Sequence, residues 1–338
     1  MLGSGAAVGA SVYFTFILIE THKLHGIRQA NRIRIERRRR YKLNAKHKAP
    51  NLAAEICLGF GTSRVPASPT QCTEDCQCAL CNGKLGIMAS LSEIVSYSDR
   101  FLRICEVGDW DNALNGLQIE NSGRVTRIGA AVDVSSRVLT EAQKRNVDLL
   151  LVHHGLFWPG LQPVRGALCR QLRLAFENDI ALYSAHLPLD IHPRVGNNAQ
   201  LVAALGLKSP RPFLEEKGRP VGLKVRVSLP RSELVRKLQK ALNGPVKVFD
   251  FGPKQARAIG IITGAAGSEI YRVADENIDT FITGEAPHWA AVAAEELGVN
   301  FLLGGHYATE VFGVKALAAH LSKRFRMPWE FIDCPTGL

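Results

Sequence analysis

Residues 147–160 read V-D-L-L-L-V-H-H-G-L-F-W-P-G. After Asp148 the run is wholly apolar for the length of a strand, until His153 and His154 end it. A run of this kind fits a strand covered on both faces, as in a parallel sheet flanked by helices. In open α/β sheets ligands bind at the carboxyl edge of the strands. Two imidazoles therefore arrive together where chemistry is expected.

The flanking chain repeats the pattern. Residues 127–134 (R-I-G-A-A-V-D-V) and 180–185 (I-A-L-Y-S-A) read as strands, with helices between them and 147–152 at 136–145 and 167–177. Residues 208–222 are rich in proline, glycine and charge and read as a linker. Strands then follow at 223–229, 246–251, 258–263, 280–283, 300–303 and 329–333, most of them separated by helices. Such alternation, with helices of about ten residues, argues βαβ units.

The second half echoes the first. Shifted forward by 131 positions, residues 127–158 lie without a gap on 258–289, placing Gly129 on Gly260, Asp148 on Asp279 and Trp158 on Trp289. The third strands also end alike, in S-A-H-L-P-L-D at 184–190 and G-G-H-Y-A-T-E at 304–310. The expected fold is α/β, with two pseudo-repeated βαβ lobes, mainly parallel sheets and a site in the cleft between them. The expected domains are an extension over 1–87, a first lobe over 88–207 with its linker at 208–222, and a second lobe over 223–338.

The strand ends bring forward His153, His154, Asp190, His306 and Glu310, with His186, His192, Glu285 and His288 close by in the sequence. Imidazoles with carboxylates suit divalent ions such as Zn, Mn, Fe or Ni. His306 and Glu310 stand four apart at a helix start, near enough to share one ion or serve two neighbours. Five ligands exceed what one catalytic zinc takes from a protein, and suit two ions bridged by a carboxylate. No P-loop, G-x-G-x-x-G or nucleophile elbow is present in the sequence.

Composition narrows the function classes. With 46% apolar and 22% charged residues, the chain reads as an ordinary soluble protein with room for two domains. The net charge of +11 is unevenly spread. Residues 1–87 hold 13 Lys or Arg against 5 Asp or Glu, leaving the rest only +3. Nothing in 88–338 therefore marks a nucleic-acid or membrane partner. Six of the eight cysteines precede residue 106, and this is no disulfide framework; it points to a reducing, cytoplasmic compartment.

Residues 1–87 lack sustained periodicity. Residues 1–19 are uncharged but at the short limit for a membrane span, and they lack the basic start of a secretory signal. Arg37 to Arg40 form a basic run, and Cys72, Cys76, Cys78 and Cys81 could hold a zinc ion only if their ligand pairs converge. The segment is expected to be a poorly ordered extension arising from an early start codon, with Met88 a natural domain start. Deleting it is expected to change neither metal content nor assembly; loss of the oligomer on truncation contradicts this.

V-H-H-G-L-F-W, A-H-L-P-L-D-I-H-P-R-V-G-N-N, I-T-G-E, G-G-H-Y-A-T-E and F-I-D-C-P together resemble the dinuclear metal centre hexameric proteins. These are also called the GTP cyclohydrolase I type 2, or Nif-three-like, family, here in its short form over 88–338. The resemblance implies a ring-shaped homohexamer and two metal ions per subunit. By motif, His153 and Asp190 bind one ion, His154 and His306 the other, and Glu310 bridges them. A metal-dependent hydrolase is implied, with Glu285 or His186 moving the proton of the attacking water. The family name suggests GTP as the small-molecule substrate. The alternatives are a phosphodiesterase-type hydrolase on another metabolite and a non-catalytic, metal-carrying regulatory hexamer.

Overall fold

The computed structural model describes residues 89–338. Met88, the cysteine cluster, the arginine run and the apolar start lie outside the described residues. The chain forms β1 (Ala89–Ser90), α1 (Leu91–Leu102), β2 (Gly116–Ile119), β3 (Arg124–Val125) and β4 (Ile128–Asp133). It continues through α2 (Ser136–Lys144), β5 (Leu149–His154), α3 (Gly166–Glu177), β6 (Ala181–Ser184), α4 (Leu187–Asp190) and α5 (Asn197–Ala204). The second half holds β7 (Arg211–Glu216), β8 (Arg219–Pro230), α6 (Arg231–Leu242), β9 (Lys247–Asp250) and β10 (Gln255–Ile261). After a 3-10 turn come α7 (Ile270–Asp275), β11 (Thr280–Thr283), α8 (His288–Glu296), β12 (Asn300–Leu303), α9 (His306–Phe325) and β13 (Trp329–Phe331).

Two mixed sheets result. The first runs β13-β4-β5-β6-β2 and the second β7-β8-β10-β11-β12-β9. β13-β4-β5-β6 and β10-β11-β12 are parallel, and antiparallel strands close the other edge of the first sheet and both edges of the second. Leu149, Leu150, Leu151 and Val152 are each at most 1% exposed, as an apolar run covered on both faces requires. Each side chain so buried stabilises the fold by about 1.5–3 kcal/mol relative to exposure. The strand that delivers His153 and His154 is thus firmly anchored.

The internal repeat is visible in the ladders. Ile128 pairs with Leu149 in the first sheet and Ile259 with Thr280 in the second, the same shift of 131. Asp148 accepts hydrogen bonds from the Thr126 and Arg127 amides, and Asp279 from those of Arg257 and Ala258. The third strands depart by one residue. Ala181 beside Leu149 corresponds to Asn300 beside Thr280, so the loop leading to His306 is one residue longer than that leading to His186.

Two expectations are corrected. Residues 208–222 are no linker, for β7 and the start of β8 form an antiparallel hairpin at the sheet edge. Its charged residues are tolerated there because an edge strand has only one neighbour. The last strand, β13, joins the first sheet beside β4, whereas its position in the sequence assigned it to the second lobe.

Helices cross between the halves as well. α9 covers the first sheet through Tyr307, Val314, Leu317 and Leu321. α5 covers the second sheet through Leu201, Val202 and Leu205. The two helices pack on each other. This exchange places the acid that ends α4 and the first turn of α9 between the sheets, at the mouth of β5.

Candidate metal centre

Glu310 is the hub. Its side chain is 4% exposed, and its Oε1 lies 3.5 Å from His153 Nε2. The other oxygen, Oε2, lies 3.4 Å from His154 Nε2 and 3.1 Å from His306 Nε2. Asp190 Oδ2 is 3.5 Å from His153 Nε2. Gly264, with φ of 72°, presses so near that a Cβ there would collide with the Glu310 carboxylate. The five residues named from the strand ends therefore surround one small volume.

Each imidazole is held from behind. Nδ1 of His153 donates to the Ala185 carbonyl at 2.8 Å, that of His154 to Asp133 at 2.8 Å, and that of His306 to Glu285 at 3.1 Å. His186 Nδ1 donates to Asp109 at 3.0 Å. All four partners accept, so in the neutral ring the single proton sits on Nδ1 and Nε2 keeps its lone pair. This is how metal-binding histidines are oriented and made more basic. His153 Nε2, His306 Nε2 and Glu310 Oε2 are buried without a hydrogen-bond partner. Such orphans are costly unless something else satisfies them, and a divalent cation fits this donor set. Two groups have ligand atoms mutually within 4.8 Å, namely His154 with His306 and Glu310, and His153 with His154 and His186. These groups could hold a metal ion.

Electrostatics favour positive charge here. Burial opposes charging His153, but Asp190 and Glu310 outweigh it and raise its pKa to about 10. Burial likewise opposes charging His306, yet Glu310 and Glu285 raise it to about 9. Glu310 is driven far below the carboxylate range by its imidazoles, despite a desolvation penalty in the other direction. In protein stripped of metal, protons on the two histidines stabilise the fold below their ordinary value of 6.5. That stabilisation is lost as pH rises through about 9 to 10. The ionised Glu310 acts oppositely, stabilising above 4.5 and less as pH falls. Denaturant melts in chelator should therefore show greatest stability between about 4.5 and 6.5, a decline as pH rises from 6.5 through 9 to 10, and a decline as it falls below 4.5. A protein that gains stability between pH 8 and 10.5 contradicts the assignment.

The remaining candidates divide. Glu285 lies on the cleft wall against His306, and His186 stands beside His153 with ring centroids 4.8 Å apart. His192 turns away, its ring 4.4 Å from Phe101 and its Nδ1 accepting from the Arg194 and Val195 amides. His288 is exposed at the start of α8. Three supporting residues went unread in the sequence. Asp133 ends β4 directly beside His154 in the ladder, a placement that parallel register alone could have given. Asp109 accepts from Asn115, from the Trp110 and Leu187 amides, and from His186. Asn197 donates to Asp190 Oδ1 at 2.8 Å and accepts from the Gly313 amide of α9.

Above the hub opens a cleft of about 860 Å³. Trp110 and Trp158 pack near His186 in its wall, and Leu214, Val221 and Ile262 of the second half complete the apolar lining. Among the described residues no helix is long and apolar enough to cross a membrane.

A family model described as Duf34/NIF3 (NGG1p interacting factor 3) matches residues 89–336. A GTP cyclohydrolase 1 type 2 homolog from Deinococcus radiodurans is 40% identical over 250 residues, 73% of this chain and 94% of that protein. A homolog of the same description from Pyrococcus horikoshii is 40% identical over 249 residues, 73% of this chain and 98% of that one. The crystal structure of TTHA1606 from Thermus thermophilus superposes with a TM-score of 0.69 at 38% identity, covering 74% of this chain and all of that one. The matched span contains both sheets and every residue of the histidine–carboxylate cluster, and on that ground this chain belongs to the DUF34/NIF3 family.

Proposed function

We propose that this protein is a metal-dependent hydrolase that binds two divalent ions around Glu310. The observation that carries this reading is the buried Glu310 carboxylate with imidazole Nε2 atoms against both of its oxygens. His153 and Asp190 would hold one ion, His154 and His306 the other, and Glu310 both. Bound ions of this kind supply Lewis acidity and a water of lowered pKa.

The chain's own groups supply the rest. Glu285 fixes the His306 ring through one oxygen and lines the cleft, where its carboxylate can take a proton. Asp109 fixes His186, whose Nε2 is then free to pass a proton at the cleft wall. The indoles and the apolar wall exclude water from a bound substrate.

A homohexamer in the cytoplasm completes the proposal. The family resemblance supports the ring, and free thiols at Cys105, Cys169 and Cys334 fit a reducing compartment. Light scattering on the full chain tests the assembly. Turnover is tested by screening metal-loaded protein against nucleotides, nucleosides, pterins and phosphodiesters with Glu310→Gln as control. Hydrolysis of at least one by the parent alone supports the proposal, and no turnover on any favours a metal-carrying role.

The ligand assignment has its own test. His154→Ala or His306→Ala should lose most of one ion per chain while the fold stays largely intact. A full pair of ions in both variants, by elemental analysis, contradicts it.

A further inference from the structure

The cleft above the hub has a distinctive charge pattern. Its charged wall residues, among the described residues and apart from histidines, are all carboxylates: Asp133, Asp190, Glu216, Glu269, Glu285 and Glu310. One guanidinium, that of Arg272, pairs with Glu216 at 3.3 Å and Glu269 at 2.7 Å from outside the lining. Lys217, also outside the lining, holds its ammonium 5.4 Å from the Trp110 ring, so two divalent ions with Arg272 and Lys217 would only balance the six carboxylates and leave no positive surplus. A triphosphate brings several more negative charges into that field and meets no lysine or arginine on the wall. The rest of the wall suits a flat, weakly polar molecule. Trp110 and Trp158, 47% and 38% exposed, both pack near His186, and Leu214, Val221 and Ile262 add apolar lining. Carboxylate edges at Asp133 and Glu285 supply acceptors next to the hub.

We propose that the cleft selects an uncharged or cationic planar nitrogen heterocycle carrying N–H donors, with no polyphosphate attached. The ring lies against Trp158 and directs its N–H edge toward the wall carboxylates. Base–indole stacking and donor–carboxylate hydrogen bonds give the affinity, and the acidic wall gives the discrimination. The inference rests on the metal-centre reading for the charge of the loaded site, but it concerns the wall and not the reaction.

The test is calorimetric titration of the full chain, metal content measured alongside, with guanosine, adenosine and pterin as neutral probes. GTP and inorganic tripolyphosphate serve as charged ones. Guanosine and GTP share one ring, so their difference isolates the phosphates. At least one neutral probe should bind, and guanosine should bind at least about tenfold more tightly than GTP. Trp158→Ala should weaken the neutral probes about tenfold at unchanged metal content, and Trp158→Phe should retain most of the affinity. Glu216→Gln combined with Glu269→Gln removes both carboxylates from Arg272, which keeps its bond to the Glu215 carbonyl, and should strengthen GTP while leaving the neutral probes unchanged. If none of the neutral probes binds a chain that carries two ions, or if GTP or tripolyphosphate binds more tightly than guanosine, the inference is overturned. A chain that takes up no ions sinks the metal-centre reading instead, and the titration of the wall is read separately from it.

Discussion

Glu310→Ala is expected to abolish binding of both proposed ions. Its two oxygens meet three imidazoles, so one substitution removes a ligand from each half of the centre. Even residues that only orient metal ligands typically cost 10–100-fold in affinity when lost. Loss of the shared carboxylate should reach at least the upper end of that range at both positions. It also leaves His153 Nε2 and His306 Nε2 in a buried space with one acid fewer to offset their charge, which removes much of the pull that raises both pKa values. Titration with Zn or Mn, followed by elemental analysis after gel filtration, measures the effect. Retention of one tightly held ion would show that Glu310 belongs to one site only.

Asn198→Ala should cost about 1–4 kcal/mol of stability, because a buried and a part-buried backbone group lose their partner at once. Asn198 is 2% exposed. Its amide donates to the Val221 carbonyl at 2.8 Å and accepts from the Thr263 amide at 2.9 Å, tying α5 to β8 and to the segment that follows β10. Thr263 leads into Gly264, the residue pressed against Glu310. The substitution should therefore loosen the metal centre as well as lower the urea midpoint. Since a domain is stable by only about 5–15 kcal/mol, the change is large. An unchanged midpoint would mean that water replaces the amide without loss.

Much of this arrangement is legible in the sequence because it is written in local patterns. The run before His153 declares a strand covered on both faces, and its two histidines fall at the edge where such sheets bind ligands. The shift of 131 positions is written in Gly129 and Gly260 and in Asp148 and Asp279. It returns in the structure as matching ladder register and matching aspartate hydrogen bonds. Less legible is what depends on contacts far apart in the chain. Residues 329–331 carry no mark of which sheet they join, since β13 is chosen by its fit beside β4. The hairpin of β7 and β8 has the proline, glycine and charge of a linker because an edge strand with one neighbour tolerates them. Asp133 and Asp109 resemble any acid near a strand end or turn until the fold sets them behind His154 and His186. Histidine spacing alone does not separate His186 from His192, whose ring packs on Phe101 and away from the hub.

The central claim is that Glu310 is shared by two ions. Anomalous diffraction from crystals of the zinc- or manganese-loaded full chain tests it most directly. The account predicts two peaks about 3.5–4 Å apart, one beside His153 and Asp190 and the other beside His154 and His306, with Glu310 between them. A single peak, or two peaks that both leave Glu310 uncoordinated, would contradict it.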